Sequence, residues 1–242
     1  MVNLGAILLL AGTILYMYEF IVVGCDRLSS GFVVLHTNRL DLREKTYKRA
    51  DGKEVLLIPM VHIGGDGFYL QVEKSIPKDA SVLMEGVSDK RHLLTEKLDY
   101  GPLASELNLA SQKEVFLPQQ RKKRYADLDV SDFSESTLTT LNEIIHEMNL
   151  LVELLENPLD PYLVTQLQAG SFHSVDANGL MRDLLVNRNQ HLLDELNKEL
   201  LQEDVVAVPW GVAHMPYLSD ALAKEGFHLS ETQEYTWLNF RN

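Results

Sequence analysis

Three side chains that can bind a metal or carry a proton each follow an apolar run typical of a buried strand. They are His62, Glu85 and His214. The runs cover residues 54–61, 80–84 and 205–210, and glycine stands beside or close to each of the three side chains, which permits a sharp turn there. Two imidazoles and a carboxylate suit a divalent transition metal. The sequence therefore predicts a metal site formed by these residues.

Two helical segments between the runs predict that the three strands are parallel. Residues 68–76 show helical spacing between the first and second runs, and a long helix over about 177–201 leads into the third. Such strand-helix-strand connections make the joined strands parallel. The carboxyl ends of parallel strands share one edge of a sheet, where α/β proteins place their sites. We therefore expect the three side chains to meet at that edge.

Each of the three residues also has a purely structural interpretation. A single histidine at a strand end is more often a hydrogen-bonded structural residue than a ligand. Glu85 precedes a glycine and can cap a helix or face solvent. The spacing does not match a compact ligand motif such as His-Glu-x-x-His. The recurrence of the pattern at three strand ends favours the functional interpretation.

The rest of the pattern predicts an α/β fold around a central mixed sheet, with α+β as the alternative. Asp51-Gly52 is a strong turn pair for a hairpin, so antiparallel strands open the domain. Between residues 88 and 172 the β signal nearly vanishes, and apolar spacing after Ser134 or Ser136 predicts an amphipathic helix. We therefore expect parallel strand-helix-strand units and a helical insertion over about 88–172 within one domain, residues 26–242.

The composition indicates a folded, acidic protein. Hydrophobic residues make up 45% and charged residues 24% of the 242 positions, which is ordinary for globular chains. A net charge of -13 argues against nucleic acid as a partner, because phosphate backbones are bound by basic surfaces. The basic run Arg121–Arg124 is interpreted as a solvated face, with contact to anionic lipid or substrate as the alternative.

The amino-terminal segment predicts a membrane anchor. The 22 residues from Leu4 to Cys25 are almost continuously apolar, and as a helix they would span roughly 33 Å, enough to cross a bilayer core. Glu19 lies toward one end, where its carboxylate can reach the headgroup region. Residues 1–25 are therefore expected to form a transmembrane or signal-anchor segment that makes a single pass.

The side of the membrane that holds the main domain stays open in the sequence. Basic residues follow the segment from Arg27 onward and none precedes it, which favours a cytoplasmic domain. A cleaved signal peptide is disfavoured because the charged leading region is missing. A third interpretation takes residues 22–25 as similar to a bacterial lipoprotein box, with Cys25 lipidated and the domain outside the cytoplasm.

Four short motifs, taken in order, resemble the TraB/PrgY, Tiki and GumN-like superfamily. They are Pro59-Met-Val-His62, Met84-Glu85-Gly86, Asn187-Arg188-Asn189 and Gly211-Val-Ala-His214. The ordered set covers roughly residues 53–227 and includes the long helix that leads into the last strand. One departure is Pro59, which stands where the family usually has glycine and leaves His62 in its place.

The resemblance implies a membrane-anchored, divalent-metal-dependent hydrolase of peptide or peptide-like amide bonds, as in the Tiki branch. His62, Glu85 and His214 would hold manganese, cobalt or zinc, with Glu85 as the general base if it is not the third ligand. Arg188 would bind a substrate carboxylate or the developing oxyanion, or orient Glu85; the bland alternative is a salt bridge between helix and core. Supporting roles are expected for Asn189, Asp66 and Tyr217.

The same resemblance leaves two alternatives to an enzyme. PrgY-like relatives are membrane proteins that curb peptide pheromones, and more distant ChaN-like relatives bind haem. A non-catalytic haem or peptide binder would need only one axial histidine, either His62 or His214, beside an apolar slot. A structural membrane protein whose motifs are relics is the third possibility. The expected partners are thus a peptide or protein substrate and the membrane.

Overall fold

The computed structural model of the protein describes residues 22–119, 122–157, 160, 163 and 176–240. Within these residues, seven strands form one mixed sheet and two more form a separate short ladder. The sheet strands are β1 Val33–Leu35, β2 Arg39–Lys48, β3 Glu54–Met60, β5 Ser81–Met84, β7 Lys123–Tyr125, β8 Val205–Gly211 and β9 His228–Asn239. The short ladder pairs β4 Ile63–Gly64 with β6 Ala110–Ser111.

The described helices lie between these strands. They are α1 Asp66–Ser75, α2 Gly101–Glu106, α3 Gln112–Val115, α4 Glu135–Glu156, α5 Ala177–Met181, a π-helix Arg182–Asn187, α6 Arg188–Leu200 and α7 Met215–Lys224, with 3-10 turns at Val130–Asp132 and Val212–His214. Residues 22–28 are also helical. Helix α4 begins after Ser134, whose hydroxyl accepts a hydrogen bond from the Thr137 amide, so the first of the two predicted caps is the one used.

The sheet has an antiparallel half and a parallel half. Strand β2 pairs antiparallel with β1, β3 and β9, and the β2–β3 hairpin turns at Gly52, whose φ is +90°. Strands β3, β8, β5 and β7 follow one another in parallel. The predicted mixed sheet with strand-helix-strand units is confirmed. Four strands therefore place their carboxyl ends along one edge.

Two apolar clusters, one on each face of the sheet, hold the parallel strands. Val206, Val208 and Trp210 of β8 pack into the cluster that also contains leucines of α6 and α7. Ala207, between them, joins the cluster that contains Phe68, Tyr69 and Val72 of α1. This alternation is the period of two expected of a strand buried on both faces. Each buried large side chain contributes about 1.5–3 kcal/mol, so the strand ends are rigidly placed.

The predicted helical insertion also contributes a strand to the central sheet. Strand β7, residues 123–125, pairs parallel with β5 inside the region where the β signal nearly vanishes. Two of its three residues are basic, so the sequence shows neither the alternation of apolar and polar residues nor the apolar content that would predict a strand there. Within the basic run, Lys123 is exposed, Arg124 pairs with Glu195 and Glu199, and Lys122 pairs with Glu199 and Glu203, so part of the run forms ion pairs at the protein surface.

The predicted membrane segment lies mostly outside the described residues. Of the 22 residues from Leu4 to Cys25, only those from residue 22 onward are described. In the described part of the chain, no helix combines the length and the apolar character needed to cross a bilayer. The membrane anchor therefore stays an expectation from sequence.

Candidate functional site

The carboxyl ends of the parallel strands bring four chemically active side chains together. Glu85 directly follows β5, Asp127 comes two residues after β7, and His214 ends the 3-10 turn after β8. Arg188 reaches the same edge as the first residue of α6. Of the three residues predicted to meet, the structure thus brings Glu85 and His214 together. Arg188 lies beside Glu85, as one of its predicted roles requires, and Asp127, which the sequence did not indicate, joins them.

Arg188 forms the centre of this cluster. Its Nε lies 2.9 Å from Asp127 Oδ1, and its Nη2 lies 2.7 Å from both Asp127 Oδ2 and Glu85 Oε1. Burial opposes the charge of the guanidinium, yet the hydrogen bonds and negative charges of Asp127 and Glu85 raise the pKa of Arg188 above its ordinary value. One cation is therefore shared by two carboxylates.

Glu85 is fixed at both carboxylate oxygens. Oε1 accepts the bond from Arg188, and Oε2 accepts a hydrogen bond of 2.6 Å from the Gly211 amide. A Cβ at position 211 would lie 3.2 Å from Glu85 Oε2, which is tighter than most real Cβ contacts. Glycine at the end of β8 thus allows the backbone to approach the carboxylate closely.

His214 is buried and uncharged at neutral pH. Its Nδ1 lies 2.7 Å from Asn189 Oδ1; because that oxygen only accepts, Nδ1 carries the proton and Nε2 keeps its lone pair. Burial, followed by the positive charge of Arg188, lowers the pKa of His214 to about 4. The ring edge also packs on Trp210, with centroids 5.2 Å apart. The supporting role predicted for Asn189 is matched by this contact.

The lone pair of His214 Nε2 accepts a hydrogen bond from Arg188 and lies next to the carboxylate of Glu85. Nε2 lies 3.6 Å from Glu85 Oε1 and 3.4 Å from Arg188 Nη1. Two donors on one zinc ion lie roughly 3.3–3.6 Å apart, given metal-ligand bonds of about 2.0–2.2 Å. A neutral imidazole and a carboxylate at this separation are therefore a donor pair that a divalent ion fits, although a guanidinium contacts both donors.

His62 occupies the mouth of the site instead of its centre. Its side chain is exposed and its ring stacks on Tyr100, with centroids 4.7 Å apart and an angle of 15°. Among the described residues, the ligand atoms of His62, Glu85 and His214 do not all lie within 4.8 Å of one another. Two of the three predicted metal donors are thus adjacent, and the third lies beside the same cavities.

Two neighbouring cavities surround the cluster. One, of about 410 Å³, is lined by Glu85, Arg188 and Tyr100 together with apolar groups of the insertion. The other, also of about 410 Å³, lies against His214 and the leucines of the helix that precedes Arg188. Glu85, Arg188 and His62 line both. The charged cluster therefore sits between two spaces that can receive parts of one ligand.

The sequence did not predict Asp127 as part of the site, and two of the three residues predicted to support the site lie elsewhere. Asp127 follows its strand by two residues, as His62 follows β3, but β7 itself gave no signal. Asp66 is exposed at the start of α1 and accepts a bond from the Gly67 amide, and Tyr217 donates to Gln190 and lines a different cavity. Neither contacts the described cluster.

Pro59 does not disturb the first motif. In β3 it is aligned with Trp210 of β8, beyond the residues that pair with β2. A proline is tolerated where no partner strand needs its missing amide. The strand therefore continues to Met60 and delivers His62 to the edge.

A separate group of possible metal donors occurs at the other end of the sheet. In the described part of the chain, His36, Asp41 and Glu234 lie within reach of one another. Arg39 already binds Asp41 at 2.9 Å, and Arg43 binds Glu234 at 2.8 Å. The two carboxylates are therefore neutralised by arginines, and we regard the group as an ion-pair cluster.

The chain matches no protein-family model, no curated protein and no solved structure to which it was compared. The ordered motifs of the sequence and the geometry of the cluster around Arg188 are the features that indicate a function.

Proposed function

We propose that the protein is a divalent-metal-dependent hydrolase of peptide or peptide-like amide bonds. The supporting observation is that the unprotonated Nε2 of buried His214 lies 3.6 Å from Glu85 Oε1, and both residues line a cavity of about 410 Å³. Glu85 and His214 would hold manganese, cobalt or zinc, and His62 would be the third ligand. Such an ion, when bound, polarises a carbonyl and lowers the pKa of a bound water.

Arg188 would stabilise negative charge in this reaction. Its guanidinium is held by the Asp127 carboxylate, whose side chain has 0% exposure, and it lines both cavities. A donor fixed in a buried site needs no rearrangement when charge develops on a substrate oxygen. The N–H groups of Arg188 already bond to Asp127, Glu85, Leu184 O and His214. Arg188 would therefore act through its positive charge and by orienting Glu85.

His62 must turn toward the cluster for this proposal to hold. Within the described residues its ring makes no hydrogen bond or ion pair and contacts only Tyr100 as a ring partner. A stacking contact contributes about 0.5–1.5 kcal/mol, less than a metal-imidazole bond provides in a structural site. The exposed ring can therefore exchange its stacking partner for the ion.

The proposal includes an anchor in the membrane. Its support is the apolar run from Leu4 to Cys25. A density-gradient flotation assay tests it, with lipid vesicles that carry either the full chain or a chain that starts at residue 26. Only the full chain should rise with the lipid after alkaline washing. Equal flotation of both would remove the anchor from the proposal and leave the site unaffected.

Metal binding by the full chain in detergent tests the site directly. We expect about one equivalent of manganese, cobalt or zinc to bind, and each of His214→Ala and Glu85→Gln to lower the affinity at least tenfold. His228→Ala is the matched control, because His228 is exposed on β9. Metal-dependent cleavage of a quenched peptide library should be lost in the same two variants. Unchanged metal occupancy in both variants would refute the site.

Haem binding is the second candidate, and the exposed position of His62 favours it. The ring of His62 lines a cavity whose walls include Val87, Phe116 and Leu117, an apolar surface beside a free imidazole. Haem added to the metal-free chain should then produce a Soret band that His62→Ala removes and His228→Ala keeps. A Soret band, together with no peptide cleavage in the presence of any of the three metals, would refute the hydrolase and support a haem-binding protein.

A further inference from the structure

In the part of the chain that the structure describes, strand β7 is an edge strand of the sheet, and Asp127 of the cluster follows it. Lys122 O accepts a hydrogen bond from the Val82 amide, and the Ala126 amide donates to Met84 O, so these backbone groups point toward β5. Because backbone direction alternates along a strand, the amide and carbonyl groups of Lys123 and Tyr125 point away from the sheet. Among the described residues, β5 is the only strand that pairs with β7.

Tyr125 stands on this edge as an exposed aromatic group whose ring lies against the backbone of Gly86. Its side chain is 70% exposed, yet its ring lies against Gly86, where a Cβ would come within 2.7 Å of two ring carbons. Gly86 directly follows Glu85, so the ring lies next to the proposed metal ligand. Rigid exposed aromatic side chains are the usual anchors of binding surfaces.

A small apolar cavity adjoins Tyr125. Its volume is about 200 Å³, and its walls include Met84, Phe116 and Leu117. These residues and Tyr125 also line the larger cavity that contains Glu85. The space is large enough for one apolar side chain and continuous in its walls with the proposed active site.

Two lysines give this edge a positive charge in an acidic protein. Lys123, on β7, and Lys113, on the rim of the larger cavity, are both exposed and form no ion pair with a described residue. The chain as a whole carries a net charge of -13. Lys123 and Tyr125 are two positions apart and therefore lie on the same face of the strand, whereas Arg124 contacts α6 on the other face.

We infer that the substrate is an extended peptide segment that adds to the open edge of β7 as a further strand. Its apolar side chain would enter the cavity beside Tyr125, and an acidic residue two positions away would lie opposite Lys123. Backbone hydrogen bonds to an open edge supply affinity in such complexes, and alternate side chains supply specificity. The inference rests on the proposed function for its substrate class and adds the mode of binding.

Binding of labelled peptides to the full chain in detergent tests the inference without any turnover. The probes are fluorescein-labelled heptapeptides with Glu-Thr-Leu or Leu-Thr-Glu at the centre, and fluorescence anisotropy in EDTA measures their dissociation constants. At least one of the two peptide sequences should bind. Methylation of every second backbone nitrogen of that peptide, in one of the two possible registers, should raise its dissociation constant at least tenfold. Methylation changes only the probe, so protein folding cannot account for the loss.

Two variants locate the bound peptide on β7. Tyr125→Ala should weaken binding about tenfold, whereas Phe240→Ala, which removes another exposed aromatic ring, should not. Lys123→Glu should favour a peptide with lysine in place of glutamate by up to about fivefold, whereas Lys78→Glu, at another exposed lysine, should keep the original preference.

The outcomes separate this inference from the proposed function. Metal binding and cleavage can persist while backbone methylation of the peptide, Tyr125→Ala and Lys123→Glu all leave peptide affinity unchanged, or while no probe binds at all. Either result overturns the edge-strand inference and leaves the hydrolase proposal standing. If peptides bind in the predicted way but no metal binds and nothing is cleaved, the hydrolase fails and the edge of β7 remains a peptide-binding surface.

Discussion

Arg188 donates two parallel hydrogen bonds to Asp127, of 2.9 Å from Nε to Oδ1 and 2.7 Å from Nη2 to Oδ2. Asp127 in turn accepts bonds from the backbone amides of Gly86 and Leu128, at 3.0 Å and 2.8 Å. The aspartate thus ties the helix that carries Arg188 to the turn that carries Glu85. Its role is to place the cation, since it does not itself line either of the two larger cavities.

Replacing Asp127 should destabilise the protein and displace Arg188. Asp127→Ala leaves a buried guanidinium with Glu85 as its remaining carboxylate partner, and breaking a buried ion pair costs about 3–5 kcal/mol. Urea unfolding measures the loss. Asp79→Ala, at an exposed aspartate, should change the free energy of unfolding by no more than about 0.5 kcal/mol. A similarly small change for Asp127→Ala would show that the pair does not hold the site.

Removing the ring of Tyr100 should strengthen metal binding. In the structure, stacking on Tyr100 keeps His62 at the mouth of the cavity, and a contact of this kind opposes its movement by about 0.5–1.5 kcal/mol. Tyr100→Ala should therefore lower the dissociation constant of the metal by roughly 2- to 10-fold, measured by calorimetry. Tyr100→Phe keeps the stack and should bind as the wild type does. An unchanged constant for Tyr100→Ala would mean that the stack does not restrain His62.

A methyl group at position 211 should weaken the metal site without a large loss of stability. The new Cβ of Gly211→Ala would lie 3.2 Å from Glu85 Oε2, so the carboxylate must shift from the Gly211 amide that orients it. Loss of such an orienting contact lowers metal affinity by about 10- to 100-fold. Gly67→Ala, whose Cβ meets its nearest atom only at 3.8 Å, is the control. Equal metal affinity in the two variants would contradict the orienting role of Gly211.

Glu44 should make the protein less stable as the pH rises. Burial raises the pKa of this carboxyl above its ordinary value of 4.5, against the hydrogen bonds from Ser75 and Tyr235. Below pH 4.5 the group is protonated in both the folded and the unfolded chain. As the pH rises from there through the folded pKa, the unfolded chain releases its proton first, and stability is lost.

The variant Glu44→Gln isolates that contribution. It should raise the free energy of unfolding relative to the wild type at pH 7 and change it little at pH 4, because glutamine stays neutral and its oxygen can accept the same bonds. Urea midpoints at the two pH values provide the comparison. A difference between variant and wild type that does not grow with pH would show that Glu44 is ionised in the folded protein at low cost.

The strand ends of the site were predictable because the strands are apolar and long. Residues 54–60 and 205–211 are buried on both faces of the sheet, which leaves a continuous apolar run in the sequence. The side chains that follow, His62 and His214, were therefore identified correctly as strand-end residues. The parallel order followed from the helices between the runs.

The remaining parts depend on contacts that no local pattern records. Strand β7 is short, and Arg124 is held in it by glutamates of α6 that are distant in the chain, so Asp127 was missed. The outward position of His62 depends on Tyr100, which lies in the insertion. Side-chain direction at an exposed strand end is set by such tertiary neighbours and not by spacing.

The π-helix from Arg182 to Asn187 makes the site sensitive to chain length. It directly precedes Arg188 and Asn189, both of which are buried and contact His214. A π segment holds one residue more than the same stretch of regular α-helix. Deleting a single residue there would allow ordinary α-helical winding and would change which side chains of the segment, Leu184 and Leu185 among them, face the cavity beside His214. The length of this segment is thus as much a requirement of the site as the identity of its residues.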